Sequence, residues 1–267
     1  MDFRYRDQTF SINSLSESDH IYKHIVESNS FYEIDLLEYI YSLRSFLPRG
    51  KAIAIDVGAN IGNHSIFLGK FLSDYVFAIE PYEPTFQVLQ DNLRRNLSGD
   101  QYFTFCLAVG ESDGTGVMKL PDDGDSNFGM MKFEASSEGG RTRLVTLENL
   151  VDEACTKELL NANVAIVKID VEGMEMSVLR GGRKILEKFK PHLFIELSTD
   201  SAFESASQFL DELGYKVMSC HADTPVYHFA YKPNQLLYLF IKYLSAKLYF
   251  DKHLKPRIIQ KLHTVFS

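Results

Sequence analysis

The sequence Asp56-Val-Gly-Ala-Asn-Ile-Gly62 sets two glycines four residues apart, where an apolar run gives way to a helical pattern. Glycine tolerates positive φ and lets a ligand approach the main chain, and a helix starting behind such a turn offers unpaired N–H groups. Glu80 ends the next apolar run, where a carboxylate can accept from both hydroxyls of a ribose. Either glycine alone has a steric explanation; the pair with the strand-end acid points to an adenosine-containing cofactor. The spacing is G-x-x-x-G rather than G-x-G-x-x-G, and Asp56 would repel a diphosphate. Both features favour S-adenosylmethionine, with its ammonium and sulfonium, over NAD.

A second constellation holds Asp170, Glu172 and Glu175, with Glu196 ending the following apolar run. On adjacent parallel strands, Asp170 and Glu196 point into the crevice at the carboxyl edge of the sheet. One carboxylate raises the pKa of its neighbour, and a carboxylate so raised can take a proton from an attacking hydroxyl. Alternatively Asp170 and Glu196 hold a divalent ion that acidifies that hydroxyl. Glu172 and Glu175 also suit a helix's first turn by complementing its dipole, the favoured reading for Glu175. Lys168 shares a strand face with Asp170 and fits a buried ion pair as well as it fits catalysis. His64 and His192 are read as structural before catalytic. Asp125-Ser-Asn-Phe-Gly129 reads equally as part of an acceptor pocket or as a polar turn.

These groups need a scaffold, and the pattern from Lys51 supplies one. AIAIDVG, YVFAIE, FTFCLAVG, VAIVKID and HLFIEL read as buried strands. Helices are expected at HSIFLGKFL, PTFQVLQDNLRRNL, 174–189 and 201–213, and YKVMSC and VYHFAY finish the sheet. Such alternation is the signature of a mostly parallel sheet with crossover helices on both faces. Residues 111–150 break the rhythm with short apolar runs, read as a β-hairpin insertion. Residues 1–50 read as a helical N-terminal extension, with a Ser30–Glu33 capping box ahead of Leu36, Leu37, Ile40, Leu43 and Leu47.

At 267 residues, 45% hydrophobic and 24% charged, the chain suits one α/β domain over 51–230 with appendages. Cys106, Cys155 and Cys220 are odd in number and widely spaced, which fits a reducing compartment and no disulfide framework. No signal segment and no spanning apolar run is seen, so a cytoplasmic protein is expected. The formal net charge is −8, but residues 231–267 carry seven Lys/Arg against one Asp, leaving −14 on the rest. An acidic body argues against nucleic acid as substrate. The basic amphipathic tail, 236–261, is expected to pack on the body or on a second subunit, with peripheral membrane contact as the alternative.

Beyond these local readings, DVGANIGNHS, IEPYEPTFQVLQDNLRRN, LAVGESDGTG, RLVTLENLV and KIDVEGMEMSVLRGGRKIL resemble, in order and spacing, the FkbM family of methyltransferases. The resemblance covers roughly residues 52–198. It implies a class I, Rossmann-like methyltransferase fold with a seven-stranded sheet, and O-methylation of a sugar, glycan or hydroxylated natural product. It also implies that Asp56, Gly58, Asn60 and Gly62 line the cofactor, Glu80 holds its ribose and Ala108-Val109 lie against adenine. Asp170, Glu196 and Glu172 are the catalytic candidates. A non-catalytic adenosyl-cofactor-binding protein, or an NAD-linked oxidoreductase, is the competing reading.

Overall fold

A computed structural model of the chain describes residues 1–119, 131–136, 139–154, 159, 161–222 and 224–249. The first 50 residues are not all helical. They open on a hairpin in which β1 (Asp2–Tyr5) pairs antiparallel with β2 (Gln8–Ser11). Its buried Phe3 and Phe10 sit among exposed polar residues, a pattern too short to separate from a loop by periodicity. Next, α1 (His20–Ser28) is capped by Asp19, whose carboxylate accepts from the Tyr22 N–H at 2.9 Å. The Ser30–Glu33 capping box does not form. Helix α2 (Ile34–Ser42) starts just after Glu33, which has φ 53° and makes no side-chain cap. A 3-10 turn (Leu43–Phe46) leads toward the sheet.

The alternating region follows as β3 (Ala52–Val57), α3 (Asn63–Phe71), β4 (Tyr75–Ile79), α4 (Glu83–Asn96) and β5 (Tyr102–Phe105). The run FTFCLAVG, expected as one strand, is divided between β5 and β6 (Ala108–Val109), which belong to different sheets. Strands β6, β7 (Gly114–Lys119), β8 (Lys132–Ala135) and β9 (Thr142–Val145) form a small sheet in the order β6-β9-β7-β8. The expected insertion is thus a sheet of its own, with α5 (Leu147–Ala154) at its end. The chain continues through β10 (Asn163–Ile169), α6 (Glu175–Gly181), α7 (Arg183–Phe189) and β11 (His192–Glu196). It then forms α8 (Asp200–Glu212), β12 (Tyr215–His221), β13 (Val226–Tyr231) and α9 (Gln235–Tyr249). The single helix expected over 174–189 is two helices with Gly182 between them, because paired glycines weaken a helix. Gly181 cannot be larger: a Cβ there would collide with the Gly110 carbonyl.

The main sheet has seven strands in the order β12-β13-β11-β10-β3-β4-β5. From β11 to β5 all neighbours are parallel, and β13 runs antiparallel to both β11 and β12. The chain winds outward from β3 in one direction and from β10 in the other. Their carboxyl ends therefore flank the switch point where such sheets hold ligands. Alternation along β3 builds two cores: Ala52 and Ala54 face one layer, Ile53, Ile55 and Val57 the other. The alanine face carries α3, α4 and the N-terminal segment, where Phe3, Phe10, Phe31 and Phe67 pack with ring centroids 4.9–5.7 Å apart. The opposite face carries α5 to α8. Among the described residues no helix is long and apolar enough to cross a membrane.

Candidate active site

A cavity of about 500 Å³ opens at the carboxyl ends of β3, β4, β10 and β11, within the range of small-molecule sites. Its floor is the turn after β3. Gly58 has φ 82° and approaches β10 so closely that a Cβ would collide with the Asp170 carbonyl oxygen. The Gly58 and Ala59 N–H groups donate to the Ile79 carbonyl, at 3.0 and 2.8 Å. Gly62, at φ 89°, serves packing: a Cβ there would lie 2.7 Å from Leu89 Cδ1 on α4. The glycines thus let the strands and helices close around the turn.

Glu80 follows β4 and is buried. Its Oε2 accepts from the Asn60 N–H at 3.1 Å and its Oε1 from the Tyr82 N–H at 2.9 Å, which fixes the plane of the carboxylate. Burial pushes its pKa up to about 7, against the pull of those two donors. Each oxygen keeps a second lone pair for the cavity, the acceptor geometry a ribose diol requires. Beyond it, Ile79, Pro81, Leu107, Ala108 and Val109 make an apolar wall suited to an aromatic base.

The polar end is built by register. Lys168 on β10 stands beside Asp56 on β3, so both side chains share a face. Lys168 Nζ lies 2.9 Å from Asp170 Oδ2 and 3.8 Å from Asp56 Oδ1, and Asp56 Oδ2 accepts from the Ser65 hydroxyl at 2.6 Å. Burial works against the Lys168 charge, but Asp170 and Asp56 outweigh it and hold the ammonium above its ordinary pKa. Glu196, ending β11, is pushed up by burial and by the Asp170 charge, and donates a hydrogen bond to Asp170. Burial also opposes the Asp170 charge, yet Lys168 and that hydrogen bond keep its pKa below the ordinary value. The cluster therefore holds a neutral Glu196, an ionised Asp170 whose side chain stays 31% exposed, and a charged Lys168. Glu172 lines the same end in a left-handed conformation, φ 50°; burial and then Asp170 raise its pKa. Glu175 instead accepts from the Gly173 N–H at 2.8 Å, closing its own turn.

Of the residues expected around a cofactor, Gly58, Asn60, Glu80, Ala108 and Val109 line the cavity, as do Asp170, Glu172 and Glu196. Asp56 and Gly62 do not. Asp56 is buried behind the wall and directs its charge to Lys168 and Ser65. Asp125–Gly129 and Cys155 lie outside the described residues. Among the described residues no group of three or more His, Cys, Asp or Glu is arranged to hold a metal.

A third wall comes from the N-terminal segment, whose residues carry no motif that marks them as part of a site. Asn63, the first residue of α3, accepts from the Tyr32 N–H at 2.9 Å and donates to the Tyr32 carbonyl at 3.0 Å. This clamp sets Tyr32 and Glu33 over the cavity. Glu33 Oε2 lies 3.1 Å from His64 Nε2. Burial raises the Glu33 pKa, but His64 and Lys168 more than reverse it. Tyr32 is pushed up to about 12, by burial first and then by Glu33, Asp170 and Glu196. Asn92 of α4 adds a second tie, donating to the Asn13 and Ile61 carbonyls at 2.9 and 2.8 Å. His192 is placed away from the cavity, bonded through Nδ1 to His228 Nε2 at 2.9 Å.

Comparison with known proteins gives this architecture a family. The chain matches the family model for the methyltransferase FkbM domain over residues 56–217. It is similar to methyltransferase FkbM from Methylobacillus flagellatus, at 21% identity and a TM-score of 0.45, over 72% of this chain and 48% of that one. The chain thus spans about half the length of that protein. It is also similar to a Streptococcus mutans protein assigned as a methyltransferase and crystallised with SAH. There the identity is 14% and the TM-score 0.44, over 74% of this chain and 96% of that one. No curated protein is significantly similar to it. The matched segment runs from the glycine turn at Asp56 into β12 and takes in Glu80, Asp170 and Glu196; the chain belongs to the FkbM methyltransferase family.

Proposed function

We propose that the chain is an S-adenosylmethionine-dependent O-methyltransferase whose acceptor is a hydroxyl of a sugar, glycan or hydroxylated natural product. The observation that carries the reading is the sharing of one cavity by two sets of groups: a diol-accepting Glu80 beside an apolar wall, and the Asp170–Glu196–Lys168 cluster. The residues fit the cofactor: Glu80 for ribose, Ala108 and Val109 for adenine, Gly58 and Asn60 along the turn. When bound, it supplies an electrophilic methyl group carried on a sulfonium.

The protein's own groups handle the acceptor proton. Asp170 is ionised and open to the cavity, so it accepts a hydrogen bond from the attacking hydroxyl and orients its lone pair. As the new bond to oxygen forms, the hydroxyl proton becomes far more acidic than a carboxylic acid, and a carboxylate of lowered pKa suffices to receive it. Glu196 donates to Asp170, and Lys168 balances its charge. The cation beside Asp170 is this ammonium, which supports a carboxylate base over the divalent-ion alternative. Tyr32 and Glu33 face the acceptor side. Incubating the protein with S-adenosylmethionine and a panel of sugars, sugar nucleotides and hydroxylated natural products tests the reading. Formation of S-adenosylhomocysteine with a hydroxyl acceptor, insensitive to EDTA, is expected. Tight cofactor binding without turnover on any hydroxyl would favour the non-catalytic alternative.

A further inference from the structure

Helix α9 solves half of its hydrophobic problem. Leu237 and Ile241 are buried against the body, with Phe240 and Leu244 partly buried beside them and the Phe46 and Phe240 rings 5.0 Å apart. Helical spacing puts Leu236, Leu239 and Tyr243 on another face, where they remain 66, 57 and 61% exposed. Lys242 and Lys247, both exposed, flank this stripe, and residues 231–267 as a whole carry seven Lys/Arg against one Asp. Residues 250–267 lie outside the described residues.

We infer that this face of α9 is a docking surface for an anionic lipid bilayer. Charge decides between the occupants. A second copy meeting the same face by two-fold symmetry would set one cationic segment against another, whereas anionic headgroups complement it. Aliphatic and tyrosine side chains flanked by lysines also match the layered polarity of a membrane interface. The apolar groups enter the acyl boundary while the ammonium groups reach the phosphates. The contact is peripheral, since no described helix can span a membrane. It holds whether or not the enzyme methylates hydroxyls.

Flotation of the full chain tests this with two kinds of vesicle, phosphatidylcholine alone and phosphatidylcholine with phosphatidylglycerol in equal parts. The chain is expected to float with the anionic vesicles at low salt and to be released at high salt. The double variant Leu236→Ser/Leu239→Ser should lower the bound fraction at least about tenfold, as expected for losing two inserted side chains. Its thermal midpoint should not change. Failure to float at low salt, or equal binding to neutral vesicles, overturns the proposal. A fall in the thermal midpoint of the double variant would show that the chain itself covers this face. Conversion of a dimer to a monomer by the same substitutions would assign the face to a second copy. Either result also overturns it.

Discussion

Asp170 and Glu80 lie in one cavity and should fail in different ways. Asp170→Asn keeps the shape and removes the charge that receives the acceptor proton, so kcat should fall by about 10²–10⁴-fold. Cofactor affinity should change little, and single-turnover kinetics beside calorimetry separate the two effects. Glu80 carries a pH signature. Burial holds its pKa near 7, and ribose hydroxyls donate best to the ionised form, so cofactor affinity should weaken as pH falls below about 7. Glu80→Gln should bind at least about tenfold more weakly at pH 8, given about 1.5–3 kcal/mol for a hydrogen bond to a charged group. It should also lose the pH dependence. A titration indistinguishable from the native protein's would remove Glu80 from the cofactor site.

Elements bring these residues together, and two positions test how. Gly62 sits at φ 89° under Leu89, so Gly62→Ala adds strain and an overpacked contact. It should destabilise the fold by about 1–3 kcal/mol in urea unfolding. Because Gly62 is outside the cavity lining, cofactor affinity in the surviving folded protein should stay near native. Asn63 tests the N-terminal wall. Asn63→Ala removes the clamp on Tyr32, which carries Glu33 over the cavity. KM for the acceptor should rise with a smaller change in cofactor affinity. An unaltered acceptor KM would show that the N-terminal segment does not position the acceptor.

At the scale of the molecule, the N-terminal segment and the sheet share a buried hydrogen-bonded chain. His192 joins His228, His228 Nδ1 joins the Tyr39 hydroxyl at 2.7 Å, and Tyr39 joins Ser219, which meets His221 at 2.8 Å. Burial keeps all three histidines neutral, lowering His192 and His221 to about 4 and His228 well below the ordinary histidine value. Below the ordinary histidine pKa the unfolded chain binds protons that the folded chain refuses. Stability is therefore fullest above about pH 6.5 and is lost as pH falls from there toward 4. Glu80 and Glu196, whose folded pKa values are raised, act in the opposite sense in part of this window, so a difference between variants is the cleaner readout. In His192→Phe, the loss of stability per pH unit between pH 6.5 and 5 should be smaller by about 1 kcal/mol. Urea midpoints at several pH values measure it, and parallel slopes would exclude His192 from the acid response.

Some of this organisation is fixed by local chemistry and was legible from the chain alone. The period of the apolar runs marked every strand of the main sheet except the division at β5 and β6. Gly58, Glu80, Asp170 and Glu196 stand out in the sequence as groups at strand ends beside a switch point, and the fold brings them to one cavity. What depends on partners far apart in sequence did not show. Glu33 reads as a capping residue until His64, on another element, claims its carboxylate. Asp56 reads as a cofactor ligand until the register of β3 and β10 sets Lys168 beside it. Gly62 reads as a ligand-facing glycine until α4 packs over it. Asn63 is an unremarkable polar residue until the N-terminal segment lies across α3. Periodicity and turn chemistry act between near neighbours and can be read along the chain. The pairing of charges, the choice of wall and the pKa values of Asp170 and Glu196 arise from contacts across the sheet, and only the folded chain supplies them.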